Sequence, residues 1–335
     1  MARYTTVDYH TAGEPFRIVT GGMPDIAGTT VAQRRVTAQT TESIDAVRRL
    51  LCHEPRGHAD MYGGFLVPPD DAGADLGVLF WHKDGFSTAC GHGTIALGAW
   101  AVESGLVAAD PDGVTAVRID VPSGRVTARV RCRAGAVESV TFANVPSYVL
   151  ARDVAVDTEL GRVTVDVSYG GAIYASVPAA AFGLTVTGDR IGELIAAGRA
   201  VKRALAGSDA ARHPADDRLS GIYGTILYDD LPPTPNGPRQ RNVTVFADGQ
   251  VDRSPCGSGT SARLALLAAD GVLADGAALT HESIVDTVFT ARVVGATEVA
   301  GRTAVGTEID GCAYRTGEHA FTLDPRDPLP GFVLR

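Results

Sequence analysis

The sequence predicts an α+β protein of two pseudo-symmetric lobes, each a curved mixed sheet around a central helix, with a cleft between them. Three observations carry this. The pentapeptides CGHGT (90–94) and CGSGT (256–260) each open an apolar run, and each run stops at a glycine fifteen residues after its cysteine, Gly105 and Gly271. Strand-like stretches precede each copy. At 335 residues the chain is also too long for one ordinary core, so about two domains are expected.

The elements follow in order. TTVDYHTAGEPFRIVTGG (5–22) reads as strand, turn, strand. TTESIDAVRRLLCHEP (40–55) has a Thr/Ser start and a Pro55 stop, the marks of a helix. GGFLVPP (63–69) and LGVLFWHKDG (76–85) are apolar runs bounded by turn residues, hence strands. The helix after Cys90 carries Ile95, Leu97, Trp100 and Val102 with small residues around them, the composition of a buried helix.

Alternating stretches at 116–132, 136–150 and 161–177 then read as antiparallel strands with Gly and Pro punctuation. GDRIGELIAAGRAVKRAL (188–205) is a long amphipathic helix. SGIYGTILYDD (220–230) and RNVTVFADGQVDRSP (241–255) are strands leading to the second Cys-Gly turn. Its helix, with Leu264, Leu266 and Leu267, is again apolar apart from Arg263, and the tail 319–335 is strand-like and broken by prolines.

Composition narrows the function. A net charge of −9 argues against nucleic acid and anionic membranes as partners, while leaving room for an anionic small molecule. No stretch reaches the roughly 18 apolar residues of a membrane span, and MARYTTVDYH has no apolar signal core; the expected location is the cytoplasm. Five cysteines suit no disulfide scaffold. Neither C-x-x-C nor H-E-x-x-H occurs, so no metal is expected. The only lysines, Lys83 and Lys202, give little support to a pyridoxal cofactor.

A cysteine at a helix start has definite chemistry. The unpaired N–H groups and positive dipole end there favour a thiolate and make a carboxylate site. Glycines at 91, 93, 257 and 259 would let a ligand approach the backbone. Two such turns facing one another would clamp a carboxylate and set a sulfur on each face of the adjacent carbon. That is a device for taking a proton from one face and returning one to the other. His92 and Asp252 lie beside the two cysteines and could hold a substrate amine; Asp252 could equally cap a turn. Tyr62 and Phe246 could wall the pocket or fill the core. Cys52, Cys132 and Cys312 lack this setting and read as packing or surface residues.

At DYHTAGEP (8–15), EPRGHADMYG (54–63), CGHGTIALG (90–98), SYGGAIYA (168–175), VDRSPCGSGTSAR (251–263) and DPLPGFVLR (327–335) the chain resembles the proline racemase family, with its hydroxyproline 2-epimerases and trans-3-hydroxy-L-proline dehydratases. The resemblance covers essentially the whole chain. It implies lobes of the diaminopimelate-epimerase type, at 1–125 plus 316–335 and at 126–315, with the last segment returning to the first lobe. It implies cofactor-independent chemistry on a small imino acid, proline or a hydroxyproline. Cys90 and Cys256 would be the acid/base pair. The backbone N–H groups of Gly91, His92, Gly257 and Ser258 would cradle the carboxylate, Asp252 and His92 would hold the ring nitrogen, and Tyr62 and Phe246 would line the pocket. The assembly stays open, a homodimer included.

Within the family, epimerising members carry Cys at the second catalytic position, whereas the typical dehydratase carries Thr. Cys256 therefore implies racemisation or epimerisation. The stretches MYGG, STACGHGTIALG, YGGAIYA and GIYGTIL look more like the dehydratase branch, and Ala89 stands where Met is usual. Dehydration of trans-3-hydroxy-L-proline is accordingly the alternative reaction.

Overall fold

A computed structural model describes residues 2–273 and 276–334. The chain divides into two compact units, Met1–Val140 with Cys312–Arg335, and Thr141–Gly311. This keeps the whole strand Gly124–Arg133 in the first unit.

In the first unit, strand Arg3–Thr11 lies between Ala313–Thr322 and Glu14–Gly21, antiparallel to both. The end of the chain thus completes the sheet begun by its start. The sheet continues through Gly63–Val67, parallel to Glu14–Gly21, then Leu76–His82 and Val114–Val121. Helices α1 (Val31–Thr40) and α2 (Glu42–Cys52) cover one face, where Val31, Ile44, Val47 and Leu51 pack with Val19, Phe65, Leu79 and Trp81. Helix α3 (Gly91–Glu103) occupies the other face and is buried from Gly91 to Ala101. Covering on both faces explains why Leu76–His82 is buried at every position and reads as an unbroken apolar run.

The sequence reading leaves α1 unassigned. VAQRRVTAQT is too polar to show an apolar stripe, and its start signal is local: Thr30 Oγ accepts the Gln33 N–H at 3.2 Å. The expected helix at 40–55 is α2; Thr41 flanks it without a side-chain cap bond.

The second unit is built the same way. Strands Ile173–Pro178, Ile222–Thr234, Gly237–Phe246 and Gln250–Asp252 are neighbours in that order. Helix α4 (Ile191–Ala204) covers one face, where Thr225 Oγ1 donates to the Gly198 carbonyl at 2.9 Å. Helix α5 (Gly257–Ala269) covers the other and is buried from Gly257 to Leu267. Ile226 packs there with Cys256 and Ala262. Both α3 and α5 end at a left-handed glycine, Gly105 (φ 74°) and Gly271 (φ 66°). No helix among the described residues is long and apolar enough to cross a membrane.

Candidate active site

Cys90 is the N-cap of α3, in extended conformation (φ −158°), and its Sγ accepts the Gly93 N–H at 3.2 Å. The sulfur lies 3.5 Å from both ring nitrogens of His92. The His92 carbonyl takes the Thr11 hydroxyl at 2.9 Å, and its ring meets Tyr62 and Phe16 edge-on, with centroids 4.9 and 5.9 Å away. Tyr62 is itself buried, its hydroxyl paired with Ser87. The first Cys-Gly turn therefore presents a thiol with donors around it and an imidazole whose orientation is set by two aromatic rings.

Cys256 is the N-cap of α5, but at φ 63° and ψ 97°. A non-glycine residue there stores about 1–3 kcal/mol of strain and is held by its surroundings. The hold is visible. The Cys256 N–H donates to Ser254 Oγ at 3.1 Å, and Ser254 N–H and Oγ–H both donate to Asp252 Oδ1, at 2.8 and 2.7 Å. On the far side the sulfur lies 3.8 Å from the Tyr174 hydroxyl, which pairs with Ser258 Oγ at 2.6 Å. Phe246 is buried on the same sheet face, stacked on Tyr223 with centroids 5.6 Å apart.

The thiolate that a helix start favours is opposed at Cys256. Burial raises its pKa, and the Asp252 charge raises it further; the Gly259 N–H and the hydroxyls of Thr244 and Tyr174 offset this only in part. Cys256 is thus held as a thiol. Burial likewise pushes Asp252 up to about 6, against the lowering by its bonds to Ser254. Tyr174 is raised by its own burial, so it stays a phenol.

The glycines three residues after each cysteine serve a purpose the sequence reading did not assign them. A Cβ on Gly93 would stand 2.7 Å from Cys90 Sγ and 2.5 Å from Phe16, and one on Gly259 would stand 2.8 Å from Cys256 Sγ. These positions are bare because the sulfur occupies the space. Gly93→Ala and Gly259→Ala should each cost about 1–3 kcal/mol of stability by overpacking. Each should also lower turnover about tenfold to a hundredfold by displacing the thiol. Thermal melts beside initial rates check both; an alanine variant with unchanged turnover would show that the thiol's place is not critical.

Three residues around Cys256 escaped the sequence reading as site members: Tyr174, Thr244 and Ser254. Ser254 had a signal, its place two residues after Asp252 in a turn. The others reach the turn across strands, and no local spacing marks them. The remaining cysteines are unbonded. Cys52, the last residue of α2, lies in the core with its thiol pushed up to about 12 by burial, Cys132 is buried and Cys312 is partly exposed. Among the described residues no three His, Cys, Asp or Glu side chains gather as a metal-ligand set.

Two helices, each capped by a cysteine inside Cys-Gly-x-Gly-Thr, match a known pattern. The family model described as proline racemase matches residues 6–333. The chain belongs to the proline racemase family. It is 47% identical to a 3-hydroxyproline 2-epimerase of Burkholderia multivorans, over 99% of this chain and 98% of that one. It is 44% identical to a trans-3-hydroxy-L-proline dehydratase of Bacillus cereus, again over 99% and 98%. A crystal structure of a hydroxyproline epimerase from Agrobacterium vitis with bound trans-4-hydroxy-L-proline has the same fold, with a TM-score of 0.91 at 33% identity, over 99% of this chain and 96% of that one. Proline racemase family members of both reaction types are therefore near relatives, and the chain is an enzyme of that family.

Proposed function

We propose that this protein is a cofactor-independent 2-epimerase of a 3-hydroxyproline, and that Cys90 and Cys256 act on one α-carbon. The observation that carries the reading is the titratable thiol of Cys256 at the N-cap of α5, where a hydroxyl could not return a proton to carbon. The 47% identity to a 3-hydroxyproline 2-epimerase supports it. It also accounts for a chain that has two thiols inside flanks of the dehydratase kind.

The resting states suggest the direction of proton flow. Cys90 accepts the Gly93 N–H and has the His92 ring beside it, which favours its thiolate as the base. Cys256, held protonated by burial, is the acid. The Cα–H electron pair moves into the substrate carboxylate as Cys90 takes the proton. The backbone N–H groups of Gly91, His92, Gly257 and Ser258, at the positive ends of α3 and α5, stabilise the extra charge. Cys256 then gives its proton to the opposite face of Cα. Asp252 and His92 hold the ring nitrogen, with Tyr62 and Phe246 behind the site. The enzyme is left with the thiol and thiolate exchanged, ready for the reverse reaction. Such thiols work only while reduced, which supports the cytoplasm as the place of action.

A second reading keeps the first step and differs in the next: the carbanion's electron pair forms the Cα–C3 double bond, and the 3-hydroxyl departs as water with a proton from one of the thiols. The 44% identity to a trans-3-hydroxy-L-proline dehydratase favours it. Incubation with trans-3-hydroxy-L-proline, trans-4-hydroxy-L-proline and L-proline in D₂O separates the two. Expected is inversion of the 3-hydroxy substrate with one deuterium gained at Cα. A cyclic imine as main product, without inversion, would replace epimerisation by dehydration.

A further inference from the structure

One buried group on the strand that leads into the Cys256 turn has no part in the chemistry above. Gln250 is 1% exposed, and neither Oε1 nor Nε2 of its amide has a protein hydrogen-bond partner. Buried amides are nearly always satisfied, so an orphaned one in a native fold calls for a physical reason.

Its position is set by strand alternation. Gln250 and Asp252 share one face of their strand, since side chains alternate with period two. Their cross-strand partners are Phe246 and Thr244, which lie opposite Gly224 and Ile226 on the next strand. This face meets α5, not α4. Ile226 packs on Cys256 and Ala262, Asn242 Nδ2 donates to the Pro255 carbonyl at 3.1 Å, and Arg263 Nε donates to Gln240 Oε1 at 3.3 Å. The α4 face belongs to the intervening residues, Thr225 and Val245, which meet Gly198.

The same contacts give the direction of α5. Gln240 lies beside its second turn and Asn242 beside the residue before Cys256. The next row, Thr244 and Asp252, flanks the thiol. The row after that, Phe246 and Gln250, lies beyond the start of the helix, about 7 Å further along the strand. A substrate whose carboxylate sat at the positive end of α5 would carry its ring toward this row. Phe246, stacked on Tyr223, offers the apolar surface. Gln250 offers an amide NH₂ that donates and a carbonyl oxygen that accepts, and an alcohol can pair with either.

We propose that Gln250 is a specificity-determining residue that hydrogen-bonds the ring hydroxyl of the substrate; the inference rests on the hydroxyproline reading above. The amide is unsatisfied in the free enzyme because its partner arrives with the substrate. A site built to bond a hydroxyl discriminates strongly against a ligand that lacks one.

The test uses Gln250→Leu and Gln250→Met, with α-proton exchange in D₂O measured on trans-3-hydroxy-L-proline and on L-proline. Where L-proline does not exchange, its inhibition constant replaces the rate. For the hydroxylated substrate kcat/KM should fall about tenfold to a hundredfold in both variants. For L-proline it should hold or rise. The melting temperature should also hold or rise, because an unpaired buried amide is replaced by an apolar group. A parallel loss on both substrates, or a fall in stability without a change in their ratio, would make Gln250 a structural residue and overturn the proposal. An unchanged ratio with unchanged activity would overturn it too. If the wild-type enzyme prefers trans-4-hydroxy-L-proline, the 3-hydroxyproline reading falls, and Gln250 is judged by the same ratio on that substrate. If it prefers L-proline, both fall.

Discussion

Replacing either thiol by a hydroxyl, as Cys90→Ser or Cys256→Ser, should lower inversion at the α-carbon by about 10²–10⁴-fold. A serine hydroxyl has nearly the shape of the thiol but does not ionise near neutral pH. Proton transfer to and from carbon is therefore lost while the fold is kept. Both cysteines are 5% exposed, and both stand at N-caps, where serine is among the favoured residues. The melting temperature should stay within a few degrees of wild type. The double variant should be little worse than the poorer single one, because paired groups act as a unit. Polarimetry on a hydroxyproline gives the inversion rate. A single variant inverting within tenfold of wild type would rule out the two-thiol scheme.

The repeated pentapeptide made the two turns legible in the sequence, for a local reason. A cap, a glycine for the sulfur to fit against and an apolar helix are all set within fifteen residues. The same repeat hid a difference. Cys90 is extended, while Cys256 has φ 63°. The residue before Cys256 is Pro255, and the Asp252–Ser254 bonds turn the chain there. Identical motifs thus begin their helices with different backbone hands, which the letters CGxGT do not encode. Which cysteine stays protonated is not legible in the motif, for a related reason. A helix start favours a thiolate, but the burial and the Asp252 charge that oppose it come from the strands. Tyr174 was missed because it reaches the turn only through sheet register, from 82 residues away. The polar helix α1 was missed because its burial comes from tertiary contact rather than from an apolar stripe.

Asp252→Asn should lower kcat/KM by about 10²–10³-fold and should not destabilise the protein. The size follows from removing one partner of a buried charge pair, about 2–5 kcal/mol, since the substrate ring nitrogen is the proposed cation. The retained stability follows from the geometry. Asn Oδ1 can still accept the two bonds from Ser254 that Asp252 Oδ1 accepts. The pH dependence has a definite sign. The folded pKa of Asp252, about 6, lies above its ordinary value of 3.8. The folded state thus holds this proton more tightly, and the resulting stability is fully present below pH 3.8 and is lost as pH rises through about 6. By pH 7 the ionised carboxylate costs on the order of 3 kcal/mol relative to its protonated form. Asparagine carries no such cost, so its melting temperature near pH 7 should equal or exceed that of wild type. Wild-type kcat/KM, which reports the free enzyme, should fall as pH drops below about 6 and the ion that binds the nitrogen disappears. The variant should lack that acid limb. If Asp252 served only to cap its turn, the opposite pattern would appear: a lower melting temperature, undiminished activity per folded molecule and an unchanged acid limb.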